Sequence, residues 1–347
     1  MGDVRRFAAV NTKIKAMEGL LLDDGAYQAL VTLNEPEEIL QYLKKTSGYS
    51  SIVELSGNEI DIDGEERRLR GDLIEKYERL GHYFADHYKK FYKTMFMRFE
   101  IEDIKLFLRT FLRKEDVGFL KEHLFQTRYH QLDLEQLTKA NSIESFVESL
   151  KGTPYYNLIK YYLEEDPEKM MFYMEMSLDH YYFNTLHKQL SEFSNEDKKS
   201  LLAALGQNVD LQNLQWIYRG LKYYDLSSEE LLNYTLHVGY YLKYKDLKEL
   251  CYTRDIDQLV ARIQNTKYGF LFKGDKHNEI FFELNMERYL LKLMTELKRK
   301  HPMTFMDTIV YMHRKEYEIR DIFTLLEAKR YHAPIEDVKR FLVHIVV

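Results

Sequence analysis

Aliphatic and aromatic residues recur along this chain at the three- and four-residue intervals of helices that bury one face. One such pattern occurs three times. "EIEDIKLFLRTF" begins at Glu100, "DLQNLQWIYRGL" at Asp210 and "EIRDIFTLLEAK" at Glu318, 110 (210 − 100) and 108 (318 − 210) residues apart. Each opens with an acid and an aliphatic residue, places Asp103, Asn213 or Asp321 three positions after the acid, and follows it with a second aliphatic. The columns Ile101/Leu211/Ile319, Ile104/Leu214/Ile322, Phe107/Ile217/Leu325 and Leu108/Tyr218/Leu326 point one stripe of each helix toward a core. Nine positions after the acid stand Arg109, Arg219 and, breaking the column, Glu327. Trp216, in the column of Leu106 and Thr324, reads as an embellishment of packing or contact. Two readings of the polar columns stand side by side: the residues cap or bridge neighbouring helices, or they lie on a shared surface that faces a partner.

The flanking segments repeat as well. "LDLEQL" from Leu132, "LSSEEL" from Leu226 and "APIEDV" from Ala333 each follow a Tyr-containing break and read as matching helix starts. Ser227 with Glu230 and Asp133 with Gln136 have capping-box spacing, and Pro334 suits a first turn. Segments from Asn34, Ser142 and Asp255 share a cap, an apolar stripe and a Thr-Tyr ending. Asp179 and Glu287 stand 31 residues before two of the three acids (210 − 179 and 318 − 287), while the matching helix of the first unit, near Gly71, is out of step. The pattern predicts an all-α chain of three similar units of about 110 residues: 1–113 with an N-terminal half-repeat, 114–222, and 223–347 with a C-terminal segment. The stretch from Val10 resembles the end of a preceding unit. Beginning and ending part-way through a unit fits a closed ring of three whose terminal pieces complete each other. An open solenoid is the competing geometry, but solenoids use repeats of about 20–50 residues and polar end caps.

Composition narrows the function classes. Apolar residues make up 45% and charged residues 31% of the 347, with 15 Gly and 5 Pro, which suits a helical globular chain and argues against disorder. One cysteine, Cys251, excludes an internal disulfide framework, and the N-terminus has no apolar signal core, which together point to a reducing, intracellular compartment. No apolar run reaches the roughly 20 residues of a membrane-spanning helix. The net charge of −6 is finely interspersed and gives little reason to expect nucleic acid; "KKFYKTMFMR", Lys89 to Arg98, is the one short basic, aromatic candidate.

Catalytic and metal motifs fail one by one. Gly269 and Gly274 have phosphate-loop spacing, but Asp275 stands where a lysine belongs. Glu59, Asp61, Asp63 and Gly64 begin like a calcium loop, yet its last position is Arg70, so an acidic turn is the plainer reading. His82/His87 and His180/His187 miss the i,i+4 metal spacing, and Cys251 reads as a buried, inert thiol. No catalytic residue, cofactor, metal site or small-molecule substrate is expected.

Taken together and in order, "NTKIKAMEGLL" from Asn11, "FEIEDIKLFLRTFL", "LDHYYFNTL", "DLQNLQWIYRGLKYYDLSSEEL" and "EIRDIFTLLEAKRYHAPIEDVKRFL" resemble the C subunit of archaeal and bacterial V-type ATPases, the counterpart of the eukaryotic d subunit. The resemblance covers essentially the whole chain. It implies a three-fold pseudo-symmetric helical funnel without catalytic activity. Such a subunit is a peripheral socket on the cytoplasmic mouth of the membrane proteolipid ring, where ions cross beside the a subunit, a further partner, and it receives the central shaft, the D and F subunits. Torque passed through it couples ATP hydrolysis or synthesis to transport of protons or sodium. Partner-contact candidates are Arg109, Arg219, Asp103, Asn213 and Asp321. A helical-repeat adaptor of some other assembly is the alternative.

Overall fold

The structure, a computed structural model, describes residues 4–54, 61–272 and 279–345. Glu59 of the acidic turn and Gly274 and Asp275 of the glycine pair lie outside them. Among the described residues every regular element is helical. In chain order these are α1 (Val4–Glu18), α2 (Asp24–Thr32), α3 (Pro36–Lys45), α4 (Ile62–Leu80), α5 (Asp86–Leu112), α6 (Leu134–Leu137), α7 (Ile143–Ser149), α8 (Pro154–Ile159), α9 (Pro167–Gln189), α10 (Asn195–Tyr223), α11 (Ser228–Asn233), α12 (Tyr244–Cys251), α13 (Ile256–Gln264), α14 (Glu279–Lys300), α15 (Met306–Arg330) and α16 (Ile335–Phe341). They group into two compact units, one made of Met1–Tyr83 with Asn278–Val347 and the other of Phe84–His277. Compactness and repeat boundaries are different partitions of the chain.

In the first unit α15 packs against α1, α3, α4, α14 and α16, so both ends of the chain build one core. In the second, α5 lies on α7 and α9, and α10 contacts α9, α11, α12 and α13. All twelve residues of the four apolar columns that point inward are buried, with none more than 3% exposed. Burying a side chain of that size contributes about 1.5–3 kcal/mol. Periodicity alone therefore identified the inward faces of all three long helices. Trp216 is buried too and packs beside His180.

The helix starts follow the local chemistry. Asp61 accepts the Gly64 N–H at the start of α4, so the acidic turn is a cap. Ser227 and Glu230 form the expected reciprocal box, whereas Asp133 caps α6 with one bond, from the Gln136 N–H. Pro334 sits one position before the first turn of α16, its fixed φ of −58° joined to an extended ψ of 140°. The three motif helices, α5, α10 and α15, end the same way, with a residue of left-handed backbone one past the cap: Lys114 (φ 57°), Asp225 (45°) and His332 (52°). There the chain turns back so that the N–H groups of Glu115, Leu226 and Ala333 bond the last free carbonyls, of Thr110, Gly220 and Ala328.

Those turns correct one alignment. The elements that directly follow them are the 3-10 turn Gly118–Glu122, α11 and α16. The first-copy counterpart of "LSSEEL" and "APIEDV" is thus Gly118–Glu122 and not "LDLEQL". The helix at Leu134 follows a later return of the chain, as α12 does in the second copy and α2 near the N-terminus.

Candidate functional site

The acid that opens each long-helix motif is buried, and a buried carboxylate must be met by donors. All three are met alike. Glu100 accepts the Gln131 N–H and the Tyr155 hydroxyl. Asp210 accepts the Tyr241 and Leu242 N–H groups at 2.7 and 3.3 Å and the Tyr268 hydroxyl at 2.7 Å. Glu318 accepts the Leu22 N–H at 2.5 Å and the Tyr49 hydroxyl, and is joined there by Lys315 at 3.0 Å. Each node thus combines a carboxylate, a backbone N–H where the chain comes back to the long helix, and a tyrosine two helices further along the chain. In the first two nodes the N–H comes 31 residues downstream of the acid. In the third it comes from the N-terminal segment, 296 positions away in sequence.

The second polar column repeats the device one turn further on. Asp103 accepts the Phe125 N–H at 3.1 Å, with His130 Nε2 at 3.1 Å from its other oxygen. Asn213 accepts the Leu236 N–H and donates its amide to the Leu236 carbonyl, both at 2.8 Å. Asp321 accepts the Val343 and His344 N–H groups at 2.7 and 2.9 Å and the Tyr27 hydroxyl at 3.4 Å, and Tyr27 stacks on His344. The separations along the chain are 22, 23 and 22 residues. All three are no more than 1% exposed. They hold the returning chain, the capping or bridging role, so any contact they make with a partner runs through the segments they anchor.

The arginines differ from one another. Arg109 is half-exposed and its guanidinium donates to the buried Glu175, with Nε at 2.8 Å. Arg219 is half-buried, and no hydrogen bond or ion pair holds it among the described residues. Glu327, in the third copy, pairs with Arg330 one turn on. The acids 31 residues before two of the nodes bridge to the long helices: Asp179 to Lys105 at 2.7 Å and Glu287 to Arg320.

Burial sets the protonation of these groups. It pushes the Asp321 carboxyl up to about 6, against the pull of the His344 and Val343 N–H groups. It also raises Asp210, again opposed by the Tyr241 N–H and the Tyr268 hydroxyl. The Tyr49 and Tyr155 hydroxyls are raised by burial first and then by the carboxylates they face, which keeps them as donors. Burial lifts the Cys251 thiol to about 12, the state of an unreactive side chain. Among the described residues no three His, Cys, Asp or Glu side chains gather as metal ligands.

Two glycines mark how closely the second node is built. The Tyr240 N–H bonds the Gly206 carbonyl at 3.1 Å, where an added Cβ would lie 3.0 Å from that of Tyr240. A Cβ on Gly239 would fall 2.0 Å from an oxygen of Asp210. The tyrosines were not singled out from the sequence as node donors; their signal was the Thr-Tyr ending repeated in Thr46–Tyr49, Thr153–Tyr155 and Thr266–Tyr268.

The family model described as ATP synthase (C/AC39) subunit matches residues 10–341. The chain is similar to proteins named as the C subunit of A-type ATP synthase. It is 26% identical to that of Methanobrevibacter smithii over 339 residues, covering 94% of this chain and 85% of the relative. It is 24% identical to that of Methanosphaera stadtmanae, with 96% and 86% covered, and 25% identical to that of Methanocaldococcus jannaschii, with 98% and 87% covered.

Proposed function

The chain belongs to the ATP synthase (C/AC39) subunit family, and on that premise we propose that it is a non-catalytic coupling socket of a rotary ATPase. In this reading it stands on the cytoplasmic face of the membrane, between the proteolipid ring, where ions cross beside the a subunit, and the central shaft formed by the D and F subunits. It passes torque so that ATP hydrolysis or synthesis is coupled to transport of protons or sodium. No described helix is long and apolar enough to cross a membrane, so attachment runs through surface contacts.

One observation supports the socket most. The third node, at Glu318, is completed by Leu22 and Tyr49 from the N-terminal half-repeat. Each of the three long helices therefore receives the same pair of donors, as a closed, funnel-like arrangement of three units requires. Buried carboxylate nodes are also stiff, and stiffness is what torque transmission demands. Arg109 and Arg219 are the partner-facing candidates, with Asp103, Asn213 and Asp321 fixing the segments behind them.

The test is rebinding of the shaft to membrane rings that carry this protein. Arg109→Ala with Arg219→Ala weakens rebinding by about tenfold, the loss of one to two charge-assisted hydrogen bonds, read at a temperature where the variant is fully folded, since Arg109→Ala leaves the buried Glu175 without its partner. Unchanged affinity of the folded variant removes the arginines from the interface. Failure of the unaltered chain to bind the shaft removes the socket itself.

A further inference from the structure

The second unit carries a basic cleft that the repeat does not call for. Near the start of α5, Lys89, Lys90 and Lys93 are exposed, and with Arg128 from the returning chain they line a cavity of about 600 Å3. Two acids line it as well, Asp86 and Glu100, and Glu100 is already committed to Gln131 and Tyr155. Lys90 reaches Glu192 at 3.2 Å. Lys93 lies over the Tyr129 ring at 5.6 Å, and no carboxylate pairs with Lys89 or Lys93 among the described residues. Like charges at i,i+4 on one helix repel, so this arrangement weakens the helix unless something fills the cleft.

The other two copies serve as an internal control. Lys89, Lys199 and Asp307 are equivalent, each 11 positions before its acid (100 − 89, 210 − 199, 318 − 307). Beside them the first copy has Lys90 and Lys93, the second Ser200 and Ala203, and the third Thr308 and Tyr311. The last four are buried in packing. At the place of Arg128, 28 residues after the acid, the second copy has Val238. The scaffold is built twice without this cluster, so the cluster is an addition to the first copy.

We infer that the cleft binds a phosphate-bearing ligand. Three ammonium groups and a guanidinium around a concavity suit a polyanion of tetrahedral groups, to which lysine binds as a point charge and arginine as a fork. Met97 and the Tyr129 ring give the cleft an apolar wall for the rest of the molecule. A lipid headgroup and a free polyphosphate share this chemistry.

The experiment uses the full chain and two probes, inorganic tripolyphosphate by titration calorimetry and phosphatidylcholine vesicles with or without phosphatidylglycerol by flotation. The unaltered protein binds tripolyphosphate saturably, and more weakly as salt rises. Lys89→Ala with Lys93→Ala lowers the affinity by roughly tenfold or more, the loss of about two charge-assisted contacts. Lys89→Arg with Lys93→Arg retains it. Both side chains are exposed, so unchanged melting of each variant shows that the effect is on binding. Lysine-dependent flotation with anionic vesicles assigns the cleft to a headgroup, and its absence beside tripolyphosphate binding assigns it to a free phosphate compound. The inference is overturned if neither probe binds, if the alanine variant binds like the unaltered chain, or if poly-glutamate replaces tripolyphosphate with equal affinity and the same lysine dependence.

Discussion

Asp321 and Asn213 do the same work at equivalent places, and exchanging their chemistry should have opposite effects. Burial moves Asp321 from 3.8 up to about 6. A shift of that size sets about 3 kcal/mol against the charged form at neutral pH. The folded protein keeps a proton that the unfolded chain releases near 3.8, so the stability this group contributes falls as pH rises from about 4 to about 6 and is flat above. Asp321→Asn removes that penalty but leaves one of the two N–H groups, Val343 or His344, without its oxygen, at a cost of about 1–3 kcal/mol. The balance lies between roughly zero and a gain of about 2 kcal/mol at pH about 7.5, with the slope below pH about 6 reduced. Asp179, also pushed up to about 6, titrates in both proteins and cancels in the comparison. Asn213→Asp goes the other way. It deletes the donor to the Leu236 carbonyl and places a carboxylate beside it, fully buried, which costs about 2–4 kcal/mol at pH about 7.5 and less in acid. Urea unfolding followed by far-ultraviolet circular dichroism across that pH range measures both. The reasoning is refuted if Asp321→Asn loses more than about 1 kcal/mol at pH about 7.5, or if Asn213→Asp is neutral there.

Four further outcomes follow from the nodes and the surface. Tyr268→Phe removes a hydroxyl that bonds a buried carboxylate at 2.7 Å and should lower stability by about 1.5–3 kcal/mol, read from the same unfolding curves. Gly239→Ala brings a methyl group onto the Asp210 carboxylate and should cost at least about 1–3 kcal/mol, with faster amide exchange at Tyr241 and Leu242. Arg109→Ala should raise the exchange rate around Glu175, whose buried carboxylate loses its partner, whereas Arg219→Ala should leave the isolated chain's stability within about 0.5 kcal/mol.

The long helices were legible because their apolar columns obey a period that only a helix satisfies, and all twelve column residues are buried. The meaning of the polar columns was not legible. Glu100 and Asp103 look alike in sequence whether they face a partner or a returning stretch of their own chain, and only the arrival of Gln131 and Phe125 decides. The misaligned "LDLEQL" has the same origin. A short capped helix start is a cheap pattern that recurs by chance, whereas Lys114, Asp225 and His332 reveal the true register through backbone that side-chain types do not announce. Lys89 and Lys93 were visible as a basic stretch, but their concentration on one cleft depends on Arg128, 35 residues beyond Lys93 (128 − 93).

The third node also dictates an order of events in the cell. Leu22 and Glu318 lie 296 positions apart, so at about 5–20 residues per second roughly 15–60 s of synthesis separates the donor from its acceptor. Meanwhile the α1 stripe of Phe7, Val10 and Ile14, buried in the finished protein, has no α15 to lie on. The unit of residues 84–277 is contiguous and finds its partners within a single stretch of nascent chain. The α1 segment, made long before α15, is thus among the last to be sheltered, and a chain cut short before Glu318 leaves that apolar stripe open to chaperones and proteases.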